Sequence, residues 1–311
     1  MKNNSISIIG SRKSKQISET IAHKTFVICA FFAVLSVASI TAYMIINGTP
    51  ALTKVGILEL LFGSDWSPTA ANPGYGILYV ILTSIIGTAF AILIGVPIGV
   101  LTAVFLSDVA PKKLAAIVKP AVELLAGIPS VIYGLLGIMI LNPLMYRLEL
   151  AIFKDSATHQ FTGGSNLISA VLVLAVMILP TVINISEASL RAVPEHLKAA
   201  SLAVGASKIQ TIFKVQIPAA KSGIITAVVL GVGRAIGEAM AISLVAGSAV
   251  NFPLPFNSVR FLTTAIVSEM GYAADTHREV LFTIGLVLFA FIMIINIILT
   301  RILKKGNKND D

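Results

Sequence analysis

The chain of 311 residues is 56% apolar and only 12% charged, with a mean hydropathy of +0.90. A soluble domain carries about 25% charged residues, so this composition and the long uncharged runs exclude an ordinary soluble enzyme and indicate an integral membrane protein. The net charge of +8 does not indicate nucleic-acid binding, because the basic residues cluster between apolar segments. The only cysteine, Cys29, cannot form an intrachain disulfide.

Six apolar segments follow one another along the chain, each long enough to cross a bilayer as a helix of about 20 residues. Helices are expected because lipid offers no partner for unpaired backbone groups. The fold class is therefore all-α, a polytopic membrane protein with six transmembrane helices. The predicted spans are 25–46, 77–107, about 121–145, 166–186, 222–250 and 280–300.

Lysine and arginine are distributed unevenly between the connecting segments. Most lie in the two terminal tails and in the loops after the second and fourth spans. Because basic loops stay in the cytoplasm, this pattern predicts a cell inner (plasma) membrane protein with both termini cytoplasmic. The opposite side carries Lys54, Arg147, Lys154, Arg260 and Arg278.

This orientation divides the chain into four parts. Cytoplasmic tails are expected at 1–24 and 304–311, a first helix with an external loop at 25–76, and a five-helix region at 77–303. The first apolar run is longer than the hydrophobic region of a secretory signal peptide and no clear cleavage site follows it, so we expect a retained anchor. The longest loops, about 30 residues, are too short to bury a core of their own.

The cytoplasmic loop 194–218 carries the signals of two short helices. Pro194 suits the first turn of a helix, and Gly205 is placed to end that helix in a left-handed conformation. Ser207 and Gln210 form a capping box for a second helix, which Pro218 ends. The result is a helical hairpin that either only connects two spans or inserts an apolar ridge into a cytoplasmic partner. One stripe of the second helix is expected to hold Ile209, Ile212, Phe213 and Gln216.

The segment AASLAVGASKIQTIFKVQIPAA, residues 199–220, resembles the coupling loop of ABC importer permeases, in which Glu-Ala-Ala is followed by a glycine and a proline. Gly205 and Pro218 keep the family separation, whereas Ala199 stands at the family's glutamate position. The stretches ELLAGIPSVIYGL, GRAIGEAMAISLVAG and SEMGYAADTHREVLFTIGLVLF are similar to PstC-type permeases of phosphate-specific ABC importers, within the binding-protein-dependent transport system inner-membrane component family. The resemblance covers roughly residues 70–305.

The resemblance implies a type I ABC importer permease fold and a subunit that forms half of a pathway for inorganic phosphate. Its implied partners are a second homologous permease, a dimer of cytoplasmic ATP-binding subunits, and a periplasmic or extracellular phosphate-binding protein. No Gly-x-x-x-x-Gly-Lys-Ser/Thr phosphate loop occurs, so the ATPase is expected in a partner subunit, and no cofactor is expected. Coupling to that ATPase is assigned to Ala199, Ala200, Gly205, Ala206, Ile217 and Pro218.

Two alternatives to phosphate transport stay open at this point. An arginine in a pathway would suit another oxyanion or a phosphonate equally well. An intramembrane enzyme would need paired aspartates, a Ser/His pair or a histidine-rich metal motif, and the predicted spans contain neither histidine nor aspartate. The non-enzymatic interpretation, a transport permease, is therefore favoured.

Two full charges, Arg234 and Glu238, stand inside the fifth predicted span, LGVGRAIGEAMAISLVAG. Arg234 lies about 20 Å along a helix from Lys221, where a charge costs at least about 2.5–3.5 kcal/mol. Spaced four apart, the two are expected on one helical face, and Gly233 and Gly237 would let a neighbouring helix approach. They could neutralise each other and brace the bundle, they could line a substrate pathway in which Arg234 holds the anion, or they could pair with another subunit and switch partners during gating.

The remaining polar residues give weaker signals. Glu123 is expected at the cytoplasmic interface, with a pathway role as the alternative. The last external loop contains Glu269, Asp275 and Glu279, which are expected to form a solvated face or, alternatively, a docking surface for an external binding protein. No metal site is expected from the spacing of His23, His159, His196 and His277.

Overall fold

The computed structural model describes residues 12–307, so the ends of the two predicted tails, 1–11 and 308–311, lie outside the described residues. The first half of the chain forms α1 (Arg12–Lys54), α2 (Ile57–Phe62), β1 (Trp66–Ser67), β2 (Gly74–Tyr75), α3 (Leu78–Val104), α4 (Lys112–Gly127), α5 (Ser130–Leu136) and α6 (Asn142–Phe153). The second half forms α7 (Leu167–Arg191), α8 (Glu195–Ala203), α9 (Lys208–Thr211), α10 (Ile217–Ala219), α11 (Lys221–Gly237), α12 (Met240–Val245), α13 (Leu262–Glu269) and α14 (Asp275–Asn307). Wider π-helical turns lie at Phe105–Val109, Gly137–Leu141 and Ile212–Gln216.

The described part of the chain contains five helical runs that are long and apolar enough to cross a membrane. A sixth span is obtained when the helical pair 208–219 and 221–237, which is bent by 70°, is counted as one. The prediction of an all-α polytopic protein with six spans is therefore confirmed, apart from one small antiparallel hairpin. In that hairpin, which lies between α2 and α3, Trp66 pairs with Tyr75 and Ser67 with Gly74.

The third predicted span is displaced in the structure. The helix α4 ends at Gly127, Ile128 and Pro129 are extended, and the span-forming run is Ser130–Phe153. Proline disfavours helical geometry in the residue before it, which explains the break at Ile128. The predicted bounds 121–145 were therefore wrong, and Glu123 lies exposed on α4 rather than inside the span.

The core of the bundle is built around α7, against which α3 and α11 pack closely. Glycines allow this contact: a Cβ on Gly95 would lie 2.6 Å from the Cδ1 of Ile178, and one on Gly99 would lie 2.8 Å from the Cγ1 of Val182. On the other side, a Cβ on Gly231 of α11 would lie 3.0 Å from Val182. Small residues at helix contacts are the usual means of close packing in membranes, where no hydrophobic force draws helices together.

The first helix packs on the bundle near its C-terminal end. There the Thr283 hydroxyl of α14 donates to the carbonyl of Gly48 at 2.8 Å, and the rings of Tyr43 and Phe282 meet at 5.5 Å. Residues 19–40 of α1 are exposed in the isolated chain. Because these residues are largely apolar, their surroundings must be lipid or another membrane subunit.

Candidate functional site

The fifth span is broken beside its two charges. The helix α11 ends at Gly237, Glu238 is extended with φ −72° and ψ 130°, and α12 begins at Met240. Two bonds hold this break: the Glu238 carboxylate accepts the Ala241 amide at 3.0 Å, and the Glu238 carbonyl accepts the Thr263 hydroxyl at 2.7 Å. The predictions of a continuous helix over 222–250 and of a shared helical face for Arg234 and Glu238 were therefore wrong. Glycine-rich sequence weakens the helix here, and tertiary bonds fix its end.

Arg234 stands in the last turn of α11 without an ion pair to any residue that the structure describes. Its side chain is partly exposed, and its Nε atom is buried with no hydrogen-bond partner. The Glu238 carboxylate, which could have neutralised it, caps α12 instead. A buried donor without a partner is rare and calls for an explanation, such as a water, an ion or a group from another molecule.

A second broken helix packs against the fifth span just beyond its break. The Tyr133 hydroxyl donates to the Leu125 carbonyl at 2.7 Å and so bridges the break between α4 and α5. The following residue, Gly134, packs so closely on α12 that a Cβ there would lie 3.0 Å from the Cα of Ala241. Two discontinuous helices therefore pack against each other close to their breaks. Discontinuous helices of this kind form the substrate sites of many transporters.

The sequence did not point to Tyr133. The sequence feature that could have indicated Tyr133 is its position shortly after the Ile128–Pro129 break. A helix break in an apolar segment leaves backbone carbonyls that need hydrogen-bond donors, and the Tyr133 hydroxyl is such a donor.

The face of α11 next to Arg234 is uncovered in the single chain. Gly233 and Gly237 are exposed, and a Cβ built on either would meet no atom within 4 Å. Leu230 on the same helix is 51% exposed, and Met240 just beyond the break is 49% exposed. The two glycines were expected to admit a neighbouring helix, and no described helix of this chain occupies that space. The open face therefore borders lipid, a cavity or another subunit.

The helical hairpin 194–218 forms as its local signals predict. The first helix, α8, ends before Gly205, which has the left-handed φ of +88°. Ser207 and Gln210 exchange both bonds of the capping box, at 3.2 and 2.8 Å. The predicted single stripe on the second helix was wrong. Ile212 and Gln216 are buried against the bundle, whereas Ile209 and Phe213 are exposed. In the wide π-helical turn, residues four apart share a face, and residues three apart point to different faces.

The exposed side of the hairpin is an apolar ridge, defined here as Leu202, Val204, Ile209 and Phe213. Their exposed fractions are 50%, 85%, 69% and 53%. Of the residues predicted for coupling, Ala199, Ala200, Gly205 and Pro218 are exposed, and Ala206 and Ile217 are partly buried. Large apolar side chains at the tip of a loop flanked by charged residues are typical of a docking surface.

A family model described as "binding-protein-dependent transport system inner membrane component" matches residues 95–308, which include both broken helices and the hairpin. The chain belongs to this family.

Two curated relatives of the permease match it over nearly its whole length. It is 36% identical over 303 residues to the probable ABC transporter permease protein YqgH of Bacillus subtilis (strain 168), covering 94% of this chain and 95% of that protein. It is 30% identical over 316 residues to the phosphate transport system permease protein PstC of Pasteurella multocida (strain Pm70), covering 96% and 97%. These relatives are transport permeases, which confirms the prediction of a permease rather than an enzyme.

Solved structures agree on the fold of the permease. A chain of a bacterial alginate ABC transporter, crystallised in complex with its alginate pentasaccharide-bound periplasmic protein, superposes with a TM-score of 0.63 and 14% identity, covering 94% of this chain and 99% of that chain. A chain of the inward-facing MetNI methionine ABC transporter gives a TM-score of 0.52 and 23% identity, covering 74% and 94%. The expected type I importer permease fold is confirmed.

The end of the permease that carries β1 and β2 contains buried carboxylates that the sequence did not reveal. Glu269 accepts hydrogen bonds from Trp66 at 3.1 Å, from His277 at 2.7 Å and from Arg260, and its side chain is only 5% exposed. Glu269 was expected on a solvated face, and this expectation was wrong. The bonds join β1, α13 and α14, so Glu269 stabilises the packing of these elements rather than presenting charge to a partner.

A second buried carboxylate lies between α6 and the loop that follows it. Glu149 is fully buried and accepts bonds from His159 at 2.8 Å and from the Thr162 amide at 3.0 Å. Two of the four histidines therefore pair with buried carboxylates across loops, which their spacing in the sequence could not indicate.

Proposed function

We propose that the permease is one of two homologous transmembrane subunits of an ATP-driven inorganic phosphate importer, with both of its termini in the cytoplasm. The choice of phosphate is supported by relatives that are named as phosphate transport permeases. The proposed pathway residues are Arg234 and Glu238.

One observation carries the proposal: the Arg234 guanidinium has no charged partner among residues 12–307 and keeps a buried Nε without a hydrogen bond. A cation inside a membrane span should pair or face a water-filled cavity, because lipid cannot compensate its charge. A guanidinium offers donors in a planar fork that fits two oxygens of a phosphate, and such charge-assisted bonds are strong. A transported anion would supply the missing partner.

The pathway would run along the uncovered face of α11, between the two permease subunits. Gly233 and Gly237 leave room beside Arg234, since a Cβ on either glycine would meet no atom within 4 Å. A second permease packed near this face would enclose the space from the other side. The site would then lie between subunits, with each subunit contributing one half.

Glu238 would limit how tightly the anion is held. Its carboxylate caps α12 at Ala241 and lies near the same break as Arg234. A negative charge close to the guanidinium weakens anion binding, and transport requires release as well as capture.

The hairpin would couple this site to two cytoplasmic ATPase subunits. Its apolar ridge would insert into a groove on the ATPase, and the 70° bend between the hairpin and α11 joins the ridge directly to the helix that carries Arg234. Closure of the ATPases on ATP would move the hairpin and tip the spans between inward-open and outward-open states. An external phosphate-binding protein would deliver the substrate.

The main alternative substrate class is another oxyanion or a phosphonate, which the same guanidinium would bind. The deciding experiment is uptake of labelled phosphate into vesicles that contain the reconstituted complex, with unlabelled sulfate, arsenate or methylphosphonate as competitors. Inhibition by phosphate and by its close analogue arsenate, but not by sulfate, supports the proposal. Uptake that sulfate or methylphosphonate displaces more effectively than phosphate contradicts it.

The role of Arg234 is tested by Arg234→Gln, which keeps a long polar side chain and removes the charge. We expect phosphate uptake to fall by about tenfold to a hundredfold, which corresponds to the roughly 1.5–3 kcal/mol of hydrogen bonds to charged groups. Arg234→Lys should retain part of the uptake with a raised KM, because an ammonium cannot make the bidentate contact. The matched control is Arg147→Gln on the exposed surface of α6, which should leave uptake unchanged.

The same variants separate the pathway role from a gating role. If Arg234 pairs with an acid of the second permease, Arg234→Gln will alter basal ATP hydrolysis or assembly even without phosphate. If it binds the anion, basal hydrolysis and assembly will stay unchanged. Uptake at the wild-type rate in Arg234→Gln would rule out the pathway role.

A further inference from the structure

One carboxylate, Asp108, holds the bundle side of the hairpin. It lies in the π-helical turn Phe105–Val109 that continues α3, and its side chain is only 11% exposed. Lys198 donates to its Oδ1 atom at 3.0 Å, and Gln216 donates to its Oδ2 atom at 2.5 Å. The neighbouring Ser107 hydroxyl donates to Oδ2 as well.

These contacts join Asp108 to both arms of the hairpin. Lys198 belongs to α8, the first arm, and Gln216 to the π-helical turn of the second arm. The arms are also bonded to each other, because the hydroxyls of Ser201 and Thr211 lie 3.0 Å apart. The set of Asp108, Lys198 and Gln216 is called the Asp108 anchor below.

Apolar packing alone would not fix the hairpin against the spans. In the apolar cluster at this level, Ile212 of the hairpin packs among residues of α3 and α7 such as Ala103, Val104 and Leu190. Dispersion and hydrophobic contacts are not directional and allow packed helices to slide. Hydrogen bonds to a nearly buried carboxylate are directional and stronger than neutral ones, so they fix the register.

The position of the anchor also suggests a function. π-Helical turns are rare and often occur at functional sites, and here two of them meet at the Asp108–Gln216 bond. Gln216 is 1% exposed and also donates to the Leu190 carbonyl at the end of α7, at 3.3 Å. Movement of the hairpin is therefore resisted at two spans through one side chain.

We propose that Asp108 is a positioning residue for coupling: it makes the hairpin and α3 move as one body, so that a force applied to the apolar ridge reaches the spans. The inference rests on the proposed function, in which an ATPase docks on that ridge. Without the anchor, the hairpin moves with the ATPase while α3 stays behind, and ATP hydrolysis is no longer linked to transport.

The test uses the assembled complex of this permease with its second permease, its ATPase subunits and its binding protein in lipid vesicles. Asp108→Asn keeps the shape of the side chain and removes its charge. We expect stimulation of ATP hydrolysis by the phosphate-loaded binding protein to fall about tenfold, within the range of a typical coupling between two sites. Basal hydrolysis should stay within about twofold, as expected when the coupling alone is lost.

Two further variants guard against a general folding defect. Lys198→Met removes the more exposed partner and should reduce the stimulation in the same direction, whereas Lys113→Met, which removes an exposed lysine of α4, should not. The charge-reversed pair Asp108→Lys with Lys198→Asp should recover part of the stimulation that either single change loses. A purely structural role would give no such rescue.

Amide hydrogen exchange of the same complex, without phosphate, gives a readout that does not depend on the substrate. In Asp108→Asn the amides of 195–219 should exchange about tenfold faster than in the wild type, because the local opening free energy falls, while those of α14 stay unchanged. Wild-type exchange and full stimulation in Asp108→Asn would overturn the anchor and leave the proposed function intact. A wild-type complex that phosphate fails to stimulate would overturn the proposed function, and the exchange of 195–219 would still decide the anchor.

Discussion

Glu269 and Arg234 are both charged, yet the fold treats them differently. At the end of the bundle that carries β1 and β2, Glu269 accepts bonds from Trp66, Arg260 and His277. In the broken fifth span, Arg234 keeps a buried Nε without a partner. Buried polar groups are normally satisfied within the chain. The Nε atom of Arg260 is also buried without a partner, but its guanidinium is paired with Glu269. Arg234 differs because it has no ion pair to any described residue.

The same difference separates the two ends of the molecule. The end that carries β1 and β2 closes on itself through buried carboxylates that join helices, strands and loops. The end that carries the helical hairpin is held by hydrogen bonds on its inner side but presents an exposed apolar ridge on the outside. We therefore expect changes at the first end to affect mainly stability, and changes at Arg234 or the hairpin to affect mainly transport.

The largest effect on stability is expected for Glu269→Gln. Breaking a buried ion pair leaves the other charges uncompensated, so the free energy of unfolding should fall by about 3–5 kcal/mol. Trp66 is the only tryptophan and bonds to Glu269, so its fluorescence during thermal unfolding in detergent reports the loss directly. Asp275→Asn, at an exposed acid nearby, is the control. Equal melting of the two variants would contradict a stabilising role for Glu269.

An intermediate effect is expected for Gly205→Val at the hairpin turn. No atom lies within 4 Å of a Cβ built there, so the cost comes from the φ of +88° alone, about 1–2 kcal/mol for a residue with a side chain. Transport should fall more than stability does, because the ridge is displaced; uptake and ATP hydrolysis measured together check this. Gly205→Asn should be milder, since asparagine tolerates this conformation. Normal coupling in the valine variant would remove the hairpin from the mechanism.

The smallest effect on stability is expected for Arg234→Gln. No ion pair to a described residue is lost, so the free energy of unfolding should change by no more than about 0.5 kcal/mol, as for a surface substitution. The same Trp66 fluorescence measurement checks this. A loss as large as that of Glu269→Gln would mean that Arg234 serves the fold, and the comparison between the two residues would fail.

Features with local signals could be predicted from the sequence. The hairpin turn follows from Gly205, Ser207 and Gln210, whose roles depend only on neighbouring backbone groups. The spans follow from hydropathy, which depends on composition alone. Pro129 indicated a helix break at Ile128, but the length of the apolar run favoured a continuous span over 121–145.

Features that depend on distant contacts could not be predicted. The break at Glu238 is fixed in part by Thr263 on another helix, and Gln216 lies 108 residues from Asp108 in the sequence. Hydropathy assigns the same apolar character to a continuous helix and to a broken one, so the packing of the two broken helices on each other has no local signature.

The 70° bend at Ala220 has a mechanical consequence. Arg234 lies about 20 Å along α11 from this bend, so a rotation of only about 10° there would carry the guanidinium roughly 3–4 Å sideways. That distance is comparable to the diameter of a water molecule. A small pivot at this bend is thus amplified into a shift of the guanidinium that is large enough to make or break a hydrogen bond.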